Sequence, residues 1–320
     1  MNEPIAPVPS PVETPPVSSL RPSRLIFALV GVVVLAGIVA GGWYLYQQLG
    51  FSTALPKNAQ VQMSLGLVPV GQVFSLNKNQ LMPEESPLAE GQVIDMVVDG
   101  TTKYYLIGDA ATRTSNIYST DGGALTKKTN SATLKFDLTF DSATKTFAYV
   151  SGEVASTTLE SFVSAPWKLT LFSEASGERM LPGAGGHAVF LPGGTHLLIA
   201  NGGKIEIVQV SSGVRSALLT LEAGAPFAVT ADGTSLALFN RTTGALDYFS
   251  LSGTTASYVR SQKVTGVPLS LSFADAKTLI MVTSSEKRDS MQISVVGGPS
   301  LNVSNPVAGL LPQKITISYE

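Results

Sequence analysis

Residues 93–107, VIDMVVDGTTKYYLI, read as two apolar strands folded back on each other at Asp99-Gly100. A glycine at that joint supplies the positive φ that a tight hairpin needs, and the flanking Val, Ile and Tyr side chains suit a pleated surface. The hairpin returns four more times, as FDLTFDSATKTFAYV (136–150), HAVFLPGGTHLLIA (187–200), FAVTADGTSLALF (227–239) and LSLSFADAKTLIMV (269–282). Aligning the second strand of each copy on Tyr104, Phe147, Leu197, Leu236 and Leu279 gives spacings of 43, 50, 39 and 43 residues. Each hairpin is followed by a polar loop, a third strand, a Gly turn and a weaker fourth strand. IEIVQV (205–210), LDYFSL (246–251) and MQISVV (291–296) are third strands of this kind.

Four-stranded units that repeat every 40 to 45 residues or so predict propeller blades, because such a sheet is apolar on both faces and needs a neighbour on each side. The recurring F-x-x-D/P-G/A pattern, with Asp121-Gly122-Gly123 after a third strand, resembles the WD40-like propeller repeats of the TolB type over residues 92 to 305. The copies lack the full S-P-D-G-K hairpin and the Trp-Asp dipeptide, so the resemblance implies an all-β propeller fold and transfers no functional residue. The ends of the array need closing, since an open propeller leaves sheet edges exposed. KITISY (314–319) is a last alternating strand with no hairpin after it, while 61–67 and 72–76 are strand-like pieces with no repeat of their own. Joined, they predict a composite sixth blade beside five complete ones, with five or seven blades as the neighbouring counts.

Upstream, residues 25–46, LIFALVGVVVLAGIVAGGWYLY, carry no charge. As a helix this stretch is about 33 Å long, which predicts a single membrane span. Arg21 and Arg24 precede it, and the next cation is Lys57, so the positive-inside rule predicts a cytoplasmic N-terminus. Trp43, Tyr44 and Tyr46 cluster at the exit end, where amphipathic rings favour the headgroup level. The alternative is a cleaved signal peptide ending near Ala40, but the apolar core is longer than such signals use. Seven prolines in residues 1–24 predict a disordered cytoplasmic tail. A stalk at 47–56 and an extracytoplasmic propeller over 57–320 complete the expected organisation.

Charged residues make up 14% of the chain and the net charge is −2, a balance that argues against nucleic acid as a partner. The absence of cysteine removes disulfides, thiolate metal sites and thiol nucleophiles together. The two histidines, His187 and His196, do not have a metal-pair spacing, and no G-x-S-x-G elbow occurs. No catalytic constellation, metal or cofactor is therefore expected. Asp141, Asp232 and Asp275 sit at hairpin joints, where their carboxylates are expected to accept backbone N–H bonds. Ser119 to Gly123 has the opening of an Asp-box, but Thr126 stands where that motif needs an aromatic, and an ordinary turn is the expectation. The sequons at Asn240 and Asn302 occur at the frequency chance predicts.

One copy departs from the period. The loop SGEVASTTLESFVSAPW (151–167) accounts for the long spacing and brings in Phe162 and Trp167. Loops between second and third strands emerge on one propeller face, so these two aromatics are candidate partner-binding residues. The competing reading folds the loop back, with Trp167 in the seam of its own blade. On the loops of that face Arg113, Lys204, Arg241, Lys287 and Arg288 balance Asp109, Glu153, Glu160, Glu286 and Asp289. The expectation is a membrane-anchored, non-enzymatic protein-binding or scaffolding propeller. A glycan-acting hydrolase or lyase and a transmembrane ligand sensor are the alternatives.

Overall fold

Two kinds of turn close the hairpins. In the computed structural model, which describes residues 59–65, 72–77, 80–156, 158–222, 224–306 and 312–319, Asp99 pairs with Thr102 across a two-residue turn with Gly100 at φ 60°. The remaining joints are longer. At three of them an aspartate closes the turn: Asp141 accepts from the Thr144 N–H at 2.7 Å, Asp232 from Thr234 at 3.0 Å, and Asp275 from Lys277 at 2.7 Å. These acids act as expected, as caps for backbone donors. In the 187–200 copy Gly193 and Gly194, both at positive φ, take over the task.

Strands β1 (Ala59–Leu65), β2 (Gln72–Asn77) and β3 (Gln80–Pro83) come first. Five antiparallel blades of consecutive strands follow. The first is β4 (Gln92–Asp99), β5 (Thr102–Asp109), β6 (Thr114–Thr120) and β7 (Thr126–Lys127). The second is β8 (Leu134–Asp141), β9 (Thr146–Gly152), β10 (Lys168–Ser173) and β11 (Gly177–Met180). The third is β12 (His187–Phe190), β13 (His196–Asn201), β14 (Lys204–Gln209) and β15 (Arg215–Thr220). The fourth is β16 (Phe227–Val229), β17 (Ser235–Asn240), β18 (Ala245–Ser252) and β19 (Thr255–Lys263). The fifth is β20 (Pro268–Phe273), β21 (Leu279–Ser284), β22 (Ser290–Val295) and β23 (Ser300–Ser304). Tyr104, Phe147, Leu197, Leu236 and Leu279 each lie on the second strand of their blade.

The last strand, β24 (Pro312–Tyr319), runs antiparallel to β1 from Ala59↔Tyr319 to Leu65↔Pro312. The first and last described strands thus share one four-stranded sheet, ordered β24-β1-β2-β3. Its third and fourth members follow directly from β1, and β3 is a strand that the sequence alone did not mark.

The core is a succession of seams between sheets. Leu106 and Ile117 of the first blade meet Leu134 and Leu138 of the second, and Leu169 of the second meets Ala188 and Leu197 of the third. Leu198 and Ile207 then meet Phe227 and Leu236, and Ala237 and Phe239 meet Leu271 and Leu279. The composite sheet has a seam on each side: Phe74 and Leu81 pack with Ile280 and Met291, and Val73 packs with Val93 and Met96. Each fully buried Leu, Ile or Phe contributes about 1.5–3 kcal/mol, so the seams supply stability to a chain without disulfides.

The helix expected over 25–46, the tail at 1–24 and the stalk at 47–56 lie outside the described residues. Among the described residues no helix is long and apolar enough to cross a membrane.

Candidate functional site

In an antiparallel four-stranded blade, the loops from second to third strand and the crossovers to the next blade leave on the same face. The 151–167 insertion joins β9 to β10 and therefore stands on that face. It holds a short helix, α1 (Leu159–Ser164), whose N-cap Thr158 accepts from the Ser161 N–H at 3.3 Å. The Thr-x-x-Ser spacing was a readable cap signal within what the sequence suggested was an irregular loop.

Phe162 and Trp167 are brought together and half-buried. Their ring centroids are 4.8 Å apart, and Trp167 meets Phe136 edge-on at 4.8 Å and 86°. The indole Nε1 donates to the Phe162 carbonyl at 2.8 Å, which ties α1 to the start of β10. Gly152 lies under the indole, where an added Cβ would stand 2.8 Å from Cε3. A guanidinium N–H of Arg113, on the neighbouring blade, donates to the Ala155 carbonyl and fastens the insertion from the other side. On α1 the solvent-facing side chains include Glu160, Val163 and Ser164, with Val163 71% exposed. Phe162 and Trp167 therefore shape the flap from beneath.

Three of the charged loop residues are spent locally. Asp109 accepts from the Ala111 and Thr112 N–H groups, Asp289 accepts from Ser285 and Ser290 hydroxyls, and Lys204 pairs with Glu206 at 2.7 Å. Glu206 is buried, which opposes ionisation, but Lys204 and Arg215 together hold its carboxyl below the usual range.

On the innermost strands, polar side chains link neighbouring blades. Asp95 of β4 is buried and accepts from its neighbour Met96 N–H at 2.8 Å and from Leu138 N–H of β8 at 2.7 Å. Asp137 of β8 has a positive φ of 56° at a register shift, and both its carboxylate oxygens lie 3.0 Å from Nδ1 of His187 on β12. The His187 ring in turn packs edge-on against Phe227 of β16. His196 instead contacts Thr195 at 3.1 Å, so the two histidines are not brought to one site. Among the described residues no group of three or more His, Asp or Glu could hold a metal ion.

Sequence reasoning also missed Lys135. Its side chain is fully buried in the seam between the first two blades, where Nζ donates to the Ser115 carbonyl at 2.8 Å and lies 3.5 Å from Glu178. Burial lowers its pKa, and Glu178 opposes that shift. Tyr149 donates to the same Glu178 at 2.6 Å, and burial raises the phenol far above its usual value. The network is satisfied on every side and reads as a polar rivet.

No sequence family matches this chain, and no curated protein matches it in sequence. Solved structures do. A chain of a nidogen/laminin complex superposes with a TM-score of 0.54 at 13% identity, covering 81% of this chain and 98% of that one. TolB from Acinetobacter baumannii superposes with a TM-score of 0.55 at 14% identity, covering 85% of this chain and 69% of that one. At such identities the likeness concerns the backbone. In fold, the chain is a β-propeller of the TolB and WD40-like kind.

Proposed function

We propose that this chain is a single-pass envelope protein with a cytoplasmic N-terminus, whose extracytoplasmic propeller is a non-enzymatic protein-binding or scaffolding module. The observation that carries this reading is how the polar groups at the centre of the ring are used. Asp95, Asp137 and His187 are spent joining blades, whereas the one elaborated loop forms a braced flap on a propeller face. Braced loops on a rigid scaffold suit recognition of a partner. In this reading Phe162 and Trp167 serve partner binding by holding the flap that presents Val163. One of the similar folds comes from a complex between two proteins, nidogen and laminin, which agrees with a binding role. The uncharged stretch 25–46 with Arg21 and Arg24 before it supports the anchor and its orientation.

The test has two arms. Protease added to intact cells or spheroplasts should degrade the chain beyond residue 50 and spare the Pro-rich tail. Crosslinking in native membranes should capture a protein partner through the propeller. Protection of the C-terminus refutes the placement, and absence of any crosslinked protein refutes the module.

A further inference from the structure

The fourth blade carries three cations that make no ion pair among the described residues: Arg241, Arg260 and Lys263. Arg241 donates only to the Gly224 carbonyl, and Arg260 lies over the Tyr248 ring at 3.9 Å and donates to Gln262. No acidic residue occurs in positions 248–274. Two acids on or before the fourth blade accept from uncharged donors, Glu222 from Thr242 and Asp247 from Asn240.

Beside these cations, where the fourth blade passes to the fifth, lies an open groove of about 670 Å3. Phe239, Val264, Val267, Pro268 and Leu269 give it apolar walls, and Arg241 stands in its lining. Val267 remains 59% exposed. Gly244 leaves the rim bare, since a Cβ there would meet nothing within 4 Å. The groove is made by a second-to-third-strand loop and a crossover, so it opens on the same face as the flap.

The strand leading to the groove is an edge. β19 is the outermost strand of its blade and, at nine residues, the longest of the outer strands, with Tyr258 and Val259 more than half exposed. A register shift at the Tyr248/Phe249 step leaves Val259 unpaired and divides the edge. Beyond it a regular run over 260–263 ends with Lys263 paired to Ala245, directly beside Val264 and Gly244 of the groove. Arg260 and Lys263 are then spaced by about 10 Å along an edge that offers free N–H and C=O groups.

We propose that this groove and the 260–263 run of β19 dock an extended acidic segment of a partner protein. An apolar side chain of the segment enters the groove, its backbone pairs with the edge, and its carboxylates meet Arg241, Lys263 and Arg260. Charge complementarity selects the partner and strand addition supplies the directional bonds. The proposal names a site for the protein-binding role inferred above and rests on it.

The test uses the purified full-length chain and a fluorescein-labelled peptide, GSEDLEVEDG, read by anisotropy. The peptide should bind, and a version with every acid replaced by lysine should not. Arg241→Glu with Lys263→Glu should weaken binding about tenfold or more without moving the melting temperature. Arg260→Glu, on the exposed strand, provides a second reading should the double variant melt lower, and it should also weaken binding. Unchanged affinity in these variants, equal binding of the lysine peptide, or equal displacement by inorganic polyphosphate overturns the proposal. Membrane crosslinking separates the two levels. If the parent and the double variant capture the same partner equally, the module stands and this site does not. If the peptide results hold and neither captures a protein, the site stands and the envelope module does not.

Discussion

Replacing Trp167 by alanine tests whether the flap is built on the blade. The indole is half-buried, so truncation forfeits about half of the roughly 3–5 kcal/mol typical of a buried Trp. Losing its ring contacts with Phe136 and Phe162 adds about 1 kcal/mol. The sum is about 3 kcal/mol, and in a domain of this size each kcal/mol moves the melting temperature by about 2–4 °C. Differential scanning calorimetry should therefore show a fall of about 6–12 °C. Trp167→Phe keeps the ring packing and loses only the bond to the Phe162 carbonyl, for about 1 kcal/mol. Val163→Ala, on the solvent side, should stay within about 0.5 kcal/mol of the parent. A Trp167→Ala protein that melts within about 2 °C of the parent would refute the seam, and the indole would have to be free for a partner.

Two further outcomes follow from the same geometry. Deleting residues 312–320 removes β24, unpairs β1 along its length and opens the composite sheet; urea unfolding should then lose stability across the whole domain, and an unchanged midpoint would reject the clasp. The second concerns acid. Donors from Thr112, Thr230, Lys277 and Ser285 hold Asp109, Asp232, Asp275 and Asp289 below the ordinary aspartate value of 3.8. Near and below that value the unfolded chain binds more protons, so the stabilisation is present above 3.8 and is lost as pH falls through the folded values. Urea midpoints should fall as pH drops below about 4, with a shallower fall in Asp232→Asn; an identical slope in that variant would refute the turn's share.

The blade order was legible because it is written locally: an Asp or Gly at the joint, branched residues on either side, and a period set by four short strands. The composite sheet was legible because KITISY alternates like a strand yet fits no copy of the repeat, as do the pieces at 61–67 and 72–76. Much of what stayed hidden depends on neighbours 20 to 50 residues away. Lys135 sits in LKFDLTF, where alternation puts a charge toward water, yet both faces of a blade are covered and a shift at Phe136/Thr139 re-aims the strand. The Asp137–His187 contact spans 50 residues and two blades. β3 was too short to announce itself, whereas the cap at Thr158 was readable and was passed over inside a loop. The flap was located by its length, but its two aromatics turned out to be the brace beneath it.

The pairing of β1 with β24 also constrains how the chain can be made. The five blades of consecutive strands can each form soon after their residues emerge, since their hairpins close over local connections, the longest of them the flap between β9 and β10. β1 cannot, because its partner, at 312–319, is synthesised long after it. At about 5–20 residues per second, β1 waits many seconds with one edge open and the seam on Phe74 and Leu81 unfilled. The long separation costs little in final stability, since each doubling of a closed loop adds only about 0.6 kcal/mol. It costs time, and during that time an unpaired strand and an apolar face are available to the wrong neighbour.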